Sequence, residues 1–380
     1  MRPALDDIRI VELAAIGPAP YGVMLLADLG AEVIRVDRVA AARGQPGAEA
    51  SMVGLSRNRR SIAVDLKQPA GVEVVRRLSR SADVLVEGFR PGVAERLGVG
   101  PQELRADHPG LIYARVTGWG QEGPLASHAG HDLDYAAVAG ALHAIGDPDQ
   151  PPPPPINYLA DFAGGGAFLA IGVLAAIIER QHSGDGQVLD VAMLDGTASL
   201  TSFLHGLRQL GAWSTERGGN LLDGAAPFYR TYRCADGRFL AVAALEPHFH
   251  TELCRRLGLD PARWQQHDPA RWPEQRADLA EMFARRSRDE WMEQLGGEDT
   301  CVAPVLDLEE APQHPHNRAR STFVEVDGVT QPAPAPRLTR TPGSIRRPAP
   351  GFGEHTDEVL AMLGYEADER DRLREAGAIA

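Results

Sequence analysis

Cysteine is scarce in the sequence, with three residues in a chain of 380. Cys234, Cys254 and Cys301 lie far apart and are odd in number, so neither a disulfide framework nor the short spacing of a zinc site is present. Disulfides persist mainly in oxidising compartments. A cytoplasmic protein that keeps its thiols reduced is therefore expected.

Long hydrophobic runs are missing as well. The longest candidate, residues 168–178, is shorter than the roughly 20 apolar residues of a membrane span and predicts a buried helix. Residues 1–14 lack the basic start, apolar run and cleavage site of a secretory signal. The net charge of −13 argues against a general nucleic-acid binder, and an anionic ligand would need a local basic site. We therefore expect neither a membrane nor a nucleic-acid partner.

Three common catalytic or nucleotide-binding motifs are also absent. The sequence contains no G-x-x-x-x-G-K-[ST] loop and no G-x-S-x-G turn, and nothing like G-x-G-x-x-G follows the first predicted strand. These absences argue against a P-loop enzyme, an α/β-hydrolase and the usual dinucleotide-binding site.

What is present in the first 120 residues is an alternation of short apolar strands with amphipathic helices. This alternation predicts an α/β fold with an open, mostly parallel sheet covered by helices. Strands are predicted at 8–14, 31–38, 83–89 and 111–119, and helices at 20–30, 69–81 and 101–109. Ligands of such sheets bind beyond the carboxyl ends of the strands, which here means 14–20, 37–41 and 87–93.

The rest of the chain predicts a second, smaller domain. The proline run at 151–155 is a stiff connector, a long helix is expected at about 163–182, and "ADGR" at 235–238 predicts a hairpin. The prolines of 329–351 argue against a central strand or helix there and indicate an extended return segment. The expected organisation is a large α/β domain over 1–190, a linker helix over 191–224, a small α+β domain over 225–320, a return linker over 321–352 and a C-terminal helical part over 353–380 that rejoins the large domain.

Asp161 stands before three glycines, Gly164 to Gly166, near the start of the long predicted helix. The free N–H groups and positive dipole end of a helix N-terminus would stabilise an oxyanion beside this carboxylate, and glycines let a ligand approach the backbone. Alternatively, Asp161 caps the helix and the glycines serve close helix packing. Spacing alone leaves both interpretations open.

His131 lies at the start of another predicted helix, where Asp132 or Asp134 would serve as the cap and leave the imidazole free. Glu246 ends the second strand of the predicted hairpin, just before Pro247. A single histidine or glutamate in such a position is more often structural than catalytic, so position alone assigns neither a role.

Arginines are concentrated in the N-terminal half of this acidic chain. Three of them lie in a predicted loop at 56–61, and the others follow predicted strands. Guanidinium groups suit phosphate, although a solvated surface position is the alternative for any single one. The arginines concerned are Arg38, Arg57, Arg59, Arg60, Arg90 and Arg96.

Segments spread over nearly the whole chain resemble the family III CoA-transferase superfamily. They include "DIRIVELAAIGPAPYGVMLLADLGAEVIRVDR" from residue 7, "DVLVEGFRPGVAERLG" from residue 83, "NYLADFAGGG" from residue 157 and "GQVLDVAMLDG" from residue 186. Two further segments resemble its racemase branch in particular. These are "GHD" at 130–132, where transferases of the family usually carry an aromatic residue in place of the histidine, and "ALEP" at 244–247.

The resemblance implies an interlocked homodimer. Each chain would have a large α/β domain, built from both termini, and a small domain joined to it by long linkers. The active site would lie between the large domain of one chain and the small domain of the other. The resemblance also implies that His131 and Asp161 are the proton-transfer residues, and that Glu246 of the partner subunit orients and tunes His131.

The activity implied by the resemblance is inversion of the α-carbon of 2-methylacyl-CoA thioesters by two-base proton transfer through an enolate. The enolate oxygen would bind the N–H groups at the start of the Asp161–glycine helix. No metal or redox cofactor is expected, and coenzyme A is part of the substrate. The implied CoA-binding residues are Ile16, Arg38, Arg57, Arg60, Gly88, Arg90, Arg96 and Tyr135.

Two other functions fit parts of the pattern. A family III CoA transferase would use Asp161 as a nucleophile, first for the acyl group and then for CoA. A non-catalytic CoA-binding homologue would keep the arginines and the glycine segment. Neither function needs His131 and Glu246, so the presence of both favours the racemase.

Overall fold

The computed structural model describes residues 2–43, 54–260 and 264–380. Within these ranges the chain forms two compact units. The first unit comprises the residues up to Ala139 together with Pro155–Leu200 and Ala319–Ala380, and the second comprises Gly140–Pro154 and Thr201–Arg318. The first unit is thus built from both ends of the chain.

Strands and helices alternate along most of the described chain. The strands are β1 (Arg9–Leu13), β2 (Glu32–Asp37), β3 (Arg59–Ala63), β4 (Val84–Glu87), β5 (Ile112–Thr117), β6 (Val188–Ala192), β7 (Tyr229–Arg233), β8 (Phe239–Ala243), β9 (Val302–Val305), β10 (Phe323–Val326) and β11 (Val329–Pro332). The α-helices are α1 (Pro18–Asp28), α2 (Val39–Ala42), α3 (Pro69–Arg80), α4 (Val93–Arg96), α5 (Pro101–Asp107), α6 (Asp132–Val138), α7 (Phe168–Ser183), α8 (Met193–Leu200), α9 (Ser202–Gln209), α10 (Pro247–Leu257), α11 (Trp272–Phe283), α12 (Arg288–Leu295), α13 (Pro315–Ala319), α14 (Thr356–Met362) and α15 (Ala367–Glu375). A π-helical segment, Tyr158–Ala167, precedes α7, and short 3-10 turns lie at Leu142–Ala144, Pro269–Arg271 and Ala311–Gln313.

The first unit is organised around a six-stranded sheet with the order β3-β2-β1-β4-β5-β6. Every neighbouring pair in it is parallel, which confirms the predicted α/β fold with a mostly parallel sheet. The chain moves outward in one direction from β1 to β3 and in the other direction from β4 to β6. The order therefore reverses between β1 and β4, the point at which open α/β sheets bind ligands.

Both faces of this sheet are buried, which explains why its strands are nearly continuous apolar runs. Side chains alternate along each strand, so Val11 and Leu13 of β1 enter one core and Ile10 enters the other. The helices α3 and α14 contribute side chains to the first core, and α1 and α7 contribute to the second.

The strand β3 corrects the predicted loop at 56–61. Arg59 pairs in register with Val33 of β2, and its guanidinium bonds to Glu12 and to the carbonyl of Pro20. Both charged side chains are fully buried, and Arg59 Nε lies 2.6 Å from Glu12 Oε2. In the sequence, adjacent arginines suggest a solvated loop. The carboxylate that allows Arg59 to be buried, Glu12, is remote in the chain and gives no local signal.

The long helix expected at about 163–182 begins earlier than the pattern indicates. Tyr158–Ser183 is one continuous helical stretch of 26 residues, with a mean hydropathy of 1.9 over its most apolar window. By length and composition alone it could cross a membrane, whereas the sequence predicted no run of that length. In the folded chain Leu169, Val173 and Ala176 of this stretch are buried in the core beside the sheet. One side of the stretch therefore packs in the core of this unit, and 44% of its most apolar window is buried.

The second unit contains an antiparallel sheet with the order β7-β8-β9, and its hairpin β7–β8 matches the predicted one. The aromatic rings of Phe228, Trp272, Phe283 and Trp291 lie in its core. The sequence pattern placed 140–154 with the large domain, but the structure places this segment in the second unit.

Arg217 explains why that segment lies in the second unit. Its guanidinium donates to the carbonyl oxygens of Asp147 at 3.0 Å and Gln150 at 2.6 Å. The next residue, Gly218, lies against the ring of Pro148. A Cβ added to Gly218 would lie 2.6 Å from the Pro148 Cδ.

The proline-rich return segment belongs to the first unit and is mostly extended. Among the residues that the structure describes, its start, Val329–Pro332, pairs with Phe323–Val326 alone, so it forms a separate two-stranded hairpin and not a central strand. Further along, the carbonyl of Ser344 accepts a hydrogen bond from Asn58 Nδ2 at 2.9 Å. Polar contacts of this kind fasten a segment that has few apolar side chains to bury.

We expect Glu12→Gln to lower the free energy of unfolding by about 3–5 kcal/mol, because it leaves the buried guanidinium of Arg59 without a counter-charge. Urea unfolding followed by circular dichroism measures the effect. The matched control is Glu73→Gln, since Glu73 pairs with Arg77 on the surface of α3 and should lose no measurable stability. Equal midpoints for the two variants would contradict a structural role for the buried pair.

Candidate active site

A cleft of about 600 Å³ lies at the point where the strand order reverses. Its walls come from the segments that follow three strands: Ala15–Ala19 after β1, Gly88–Pro91 after β4 and Val116–Trp119 after β5. The segment 128–131 and the side chain of Asp161 complete it. The carboxyl ends of parallel strands meet at one edge of a sheet, so this is where the fold is expected to bind a ligand.

His131 occupies the N-cap position of α6 and lines this cleft with an exposed side chain. Its own N–H donates to Asp134 Oδ2 at 2.9 Å, so Asp134 supplies a carboxylate of the kind that favours a helix start. The backbone of His131 is extended, with φ −133° and ψ 175°. His131 thus belongs both to the start of this helix and to the lining of the cleft.

Asp161 lies in the first turns of the π-helical segment and lines the same cleft as His131. The structure therefore brings together the two residues that the sequence selected. Asn157 Nδ2 lies 3.5 Å from Asp161 Oδ2, which makes this a long hydrogen bond.

Burial raises the pKa of the Asp161 carboxyl above its usual value of 3.8. The negative charge of Asp132 acts in the same direction, whereas the hydrogen bond from Asn157 and the charge of His131 lower the pKa. The net direction is upward, so Asp161 holds a proton more readily than an exposed aspartate.

The glycines after Asp161 serve helix packing, which settles the alternative that spacing left open. Gly164, Gly165 and Gly166 are all buried. A Cβ at Gly165 would come within 2.8 Å of Pro18 Cβ, and one at Gly166 within 2.7 Å of the Pro18 carbonyl oxygen. The missing side chains let the π-helical segment lie directly against α1 and α8, and they do not open the backbone to a ligand.

Two N–H groups at the start of this helical stretch, those of Ala160 and Asp161, are already hydrogen-bonded, which argues against the expected oxyanion site at these two groups. Asp132 Oδ2 accepts hydrogen bonds from the N–H of Ala160 at 2.6 Å and of Asp161 at 2.7 Å. The carboxylate of Asp132 thus takes the place that the sequence pattern reserved for an enolate oxygen.

Gly17 is a site residue that the sequence reasoning missed. It precedes α1 with φ +74°, and a Cβ there would lie 3.0 Å from Asp161 Oδ2. Both the positive φ and the close carboxylate require glycine. Its place before Pro18 in "AIGPAP", directly after β1, is the signal that could have found it.

Four of the predicted CoA-binding residues line the cleft: Ile16, Gly88, Arg90 and Tyr135. Ile16 is 71% exposed, which is unusual for an isoleucine and suits contact with a ligand. Tyr135 is buried against Gly118 and Gly130, and burial together with the charge of Asp161 raises its pKa to about 12. Its hydroxyl therefore stays protonated.

The other predicted CoA-binding arginines divide into two groups. Arg38, at the end of β2, and Arg96, at the end of α4, are exposed near the carboxyl ends of the strands. Arg57 is only 3% exposed and bonds to Asp28, to Gln331 Oε1 at 2.9 Å and to the carbonyl of Pro332 at 2.7 Å. Its donors are directed into the protein, so the assignment of Arg57 to CoA phosphate is corrected.

Arg60 is corrected for a similar reason. Its guanidinium lies 2.7 Å from Glu32 and 3.1 Å from Glu358, and its side chain is 18% exposed. Two carboxylates neutralise its charge, which leaves little attraction for a phosphate. The loop that the sequence offered as a basic patch is thus an internal set of ion pairs.

Glu246 lies in the second unit, where it follows β8 and occupies the N-cap position of α10. Its side chain is exposed and makes no capping hydrogen bond to the helix, and Pro247 fills the first helical position. Within the described ranges, no three His, Cys, Asp or Glu side chains form a group that could hold a metal ion. The expectation of a cofactor-independent enzyme stays a prediction.

The chain matches the CoA-transferase family III model over residues 5–356. It is 47% identical over 370 residues to the alpha-methylacyl-CoA racemase of Mus musculus, covering 96% of this chain and 94% of that protein. It is 45% identical over 373 residues to the alpha-methylacyl-CoA racemase of Homo sapiens, covering 96% and 95%. Among solved structures, a CAIB/BAIF family protein from Brucella suis superposes with a TM-score of 0.83 at 26% identity, covering 96% of this chain and 100% of that one. The chain therefore belongs to the CoA-transferase family III.

Proposed function

We propose that this protein is an α-methylacyl-CoA racemase, an isomerase that interconverts the 2R and 2S epimers of 2-methylacyl-CoA thioesters. The observation that carries the proposal is that His131 and Asp161 line one cleft at the reversal point of the sheet. The names of its relatives from mouse and human support the same activity.

The reaction needs a proton removed from one face of the α-carbon and a proton delivered to the other. One of the two residues takes the α-proton, and the electron pair of the broken C–H bond moves into the thioester carbonyl to form an enolate. The other residue then protonates the carbon from the opposite face. No atom changes oxidation state, so the step requires no redox group.

The environment of Asp161 favours a bound proton more than that of an ordinary aspartate. An ordinary imidazole has a pKa of about 6.5, and the pKa of Asp161 is raised from its usual 3.8 by burial and by Asp132. Groups that alternate as acid and base work best when neither holds its proton much more tightly than the other. The partly buried position of Asp161 is therefore suited to this exchange of roles.

The coenzyme A part of the substrate would provide most of the contacts that bind it to the protein. Arg90, together with Ile16, Gly88 and Tyr135, lines the cleft, and Arg38 and Arg96 are exposed near the same edge of the sheet. A chain with a net charge of −13 repels phosphates in general, so a few exposed arginines must attract them locally. The acyl chain would lie on an apolar part of the cleft wall.

We also propose that the protein is a homodimer whose active site includes Glu246 of the partner subunit, as the family resemblance implies. Exposed apolar side chains on the first unit support a partner surface. Large contiguous patches of such residues commonly mark interfaces. The most exposed ones on α6, the π-helical segment and α7 are Val138 at 59%, Tyr158 at 58%, Ile171 at 59% and Ile178 at 58%.

Replacing either proton-transfer residue should stop epimerisation. We expect His131→Ala and Asp161→Ala each to lower the rate by roughly 100-fold or more, because a positioned acid or base contributes on that order. Chiral separation of the two epimers measures the rate. The control is His182→Ala, a surface histidine whose Nδ1 lies 2.9 Å from the carbonyl of Ile178. Near-normal epimerisation in both cleft variants would refute the assignment.

Substitution of Arg90 should affect binding of the acyl-CoA, whereas substitution of Arg57 should affect the stability of the fold. Arg90→Ala should raise the KM for the acyl-CoA about tenfold or more, since it removes a charged donor to phosphate, and should leave the unfolding midpoint unchanged. Arg57→Ala should lower the unfolding midpoint, because it leaves the buried carboxylate of Asp28 without its charged partner. The KM of the folded enzyme should stay unchanged. A similar KM change in both variants would contradict this division.

Mixed dimers test the shared site. We expect a His131→Ala chain paired with a Glu246→Ala chain to regain about half of the normal rate, because one of the two sites then carries both native residues. Differently tagged chains allow the mixed dimer to be purified and compared with each variant homodimer. If each site came from a single chain, both sites of the mixed dimer would be defective, and no activity would return.

A further inference from the structure

Asp132 makes contacts that set it apart from the other carboxylates near the cleft. It is the first residue of α6 and follows His131 directly, and it is only 5% exposed. Its Oδ2 atom accepts from the N–H of both Ala160 and Asp161, at 2.6 and 2.7 Å. One buried side chain thus links the helix start that carries His131 to the turn that carries Asp161.

These bonds satisfy a need of the π-helical segment. The first N–H groups of any helix have no acceptor within the helix, and a negative charge there is favourable. Because the acceptor is anchored on α6, the two helix starts are held at a fixed separation. A shift of about 1 Å in a reacting group can change a rate by roughly 100-fold.

The second carboxylate oxygen, Asp132 Oδ1, is buried and has no hydrogen-bond partner among the residues that the structure describes. A buried acceptor without a donor is unfavourable, so stability alone does not account for a carboxylate at this position. No ion pair to Asp132 occurs in the described ranges, and its charge acts directly on Asp161.

The other charged and titratable groups around Asp161 include Arg90, which lines the same cleft. His131, Asp134 and Tyr135 lie on the same helix start as Asp132, Tyr21 lies on α1, and α8 carries Asp195, which is exposed. Among the charged groups of these elements, Asp132 and His131 act on the pKa of Asp161, in opposite directions. Removal of the negative charge of Asp132 should therefore change the pKa of Asp161.

We propose that Asp132 is a positioning residue for proton transfer, which fixes the turn that carries Asp161 to the helix start that carries His131 and places a second carboxylate beside that turn. This inference rests on the proposed racemase function. It gives the aspartate of the "GHD" segment a role distinct from that of the adjacent histidine.

Asp132→Asn tests the charge, because an amide oxygen still accepts N–H bonds. Removing the negative charge removes an influence that raises the pKa of Asp161, so that pKa should fall. With the epimer from which Asp161 removes the α-proton, the rate declines at low pH when Asp161 takes up the proton that its role as a base requires it to lack. The acid limb of the pH profile measured with that epimer should therefore move to lower pH than in the native enzyme. The control, Asp134→Asn, removes an exposed charge from the same helical turn and should leave the acid limb in place.

Asp132→Glu tests the position, because it keeps the charge and lengthens the side chain. We expect it to lower kcat about tenfold or more, with the KM and the acid limb unchanged. An unshifted acid limb in Asp132→Asn would overturn the charge role, and a normal kcat in Asp132→Glu would overturn the positioning role. If the native enzyme itself fails to epimerise the substrate, the proposed function fails instead.

Discussion

Direct backbone packing of the π-helical segment against α1 and α8 is the constraint on which the site depends. A Cβ at Gly196 would overlap the carbonyl oxygen of Gly164, and one at Gly22 would lie 2.5 Å from the carbonyl oxygen of Gly166. Only glycine permits this approach. Because the helices lie so close, the carboxylate of Asp161 lies beside Gly17, the residue that precedes α1, inside the cleft and partly buried. The glycines thus help to place Asp161 where burial raises its pKa.

Arginines in the first unit have two different roles. Buried ones form ion pairs within the protein, and exposed ones are available to a ligand. Arg57 and Arg59 are buried with carboxylates from α1 and β1, and they join remote segments of the chain. Arg90 is exposed on the wall of the cleft, where a charged ligand can reach it. The sequence shows all of these as one basic group. Their counter-charges lie far away along the chain, and only the folded structure identifies which guanidinium groups have been neutralised.

The sheet was predictable because its strands are apolar and its helices amphipathic, and both patterns are local. The strand at Arg59 was not predictable, since its polarity is compensated by Glu12, which is 47 residues away. His131 and Asp161 could be selected through family resemblance, and the structure places both in one cleft. The role of Asp132 depends on hydrogen bonds to a turn 28 residues later, and no local pattern in the sequence encodes such bonds.

The central claim is that the protein moves a proton at the α-carbon and does not transfer coenzyme A. The most direct measurement incubates the purified enzyme with a single epimer of a 2-methylacyl-CoA and a free carboxylate acceptor in deuterated water. Stereochemistry, deuterium content and the identity of the CoA ester are then followed together. We predict inversion at the α-carbon, with one deuterium gained there and the acyl group still joined to its CoA. Transfer of CoA to the carboxylate without deuterium at the α-carbon would contradict the account.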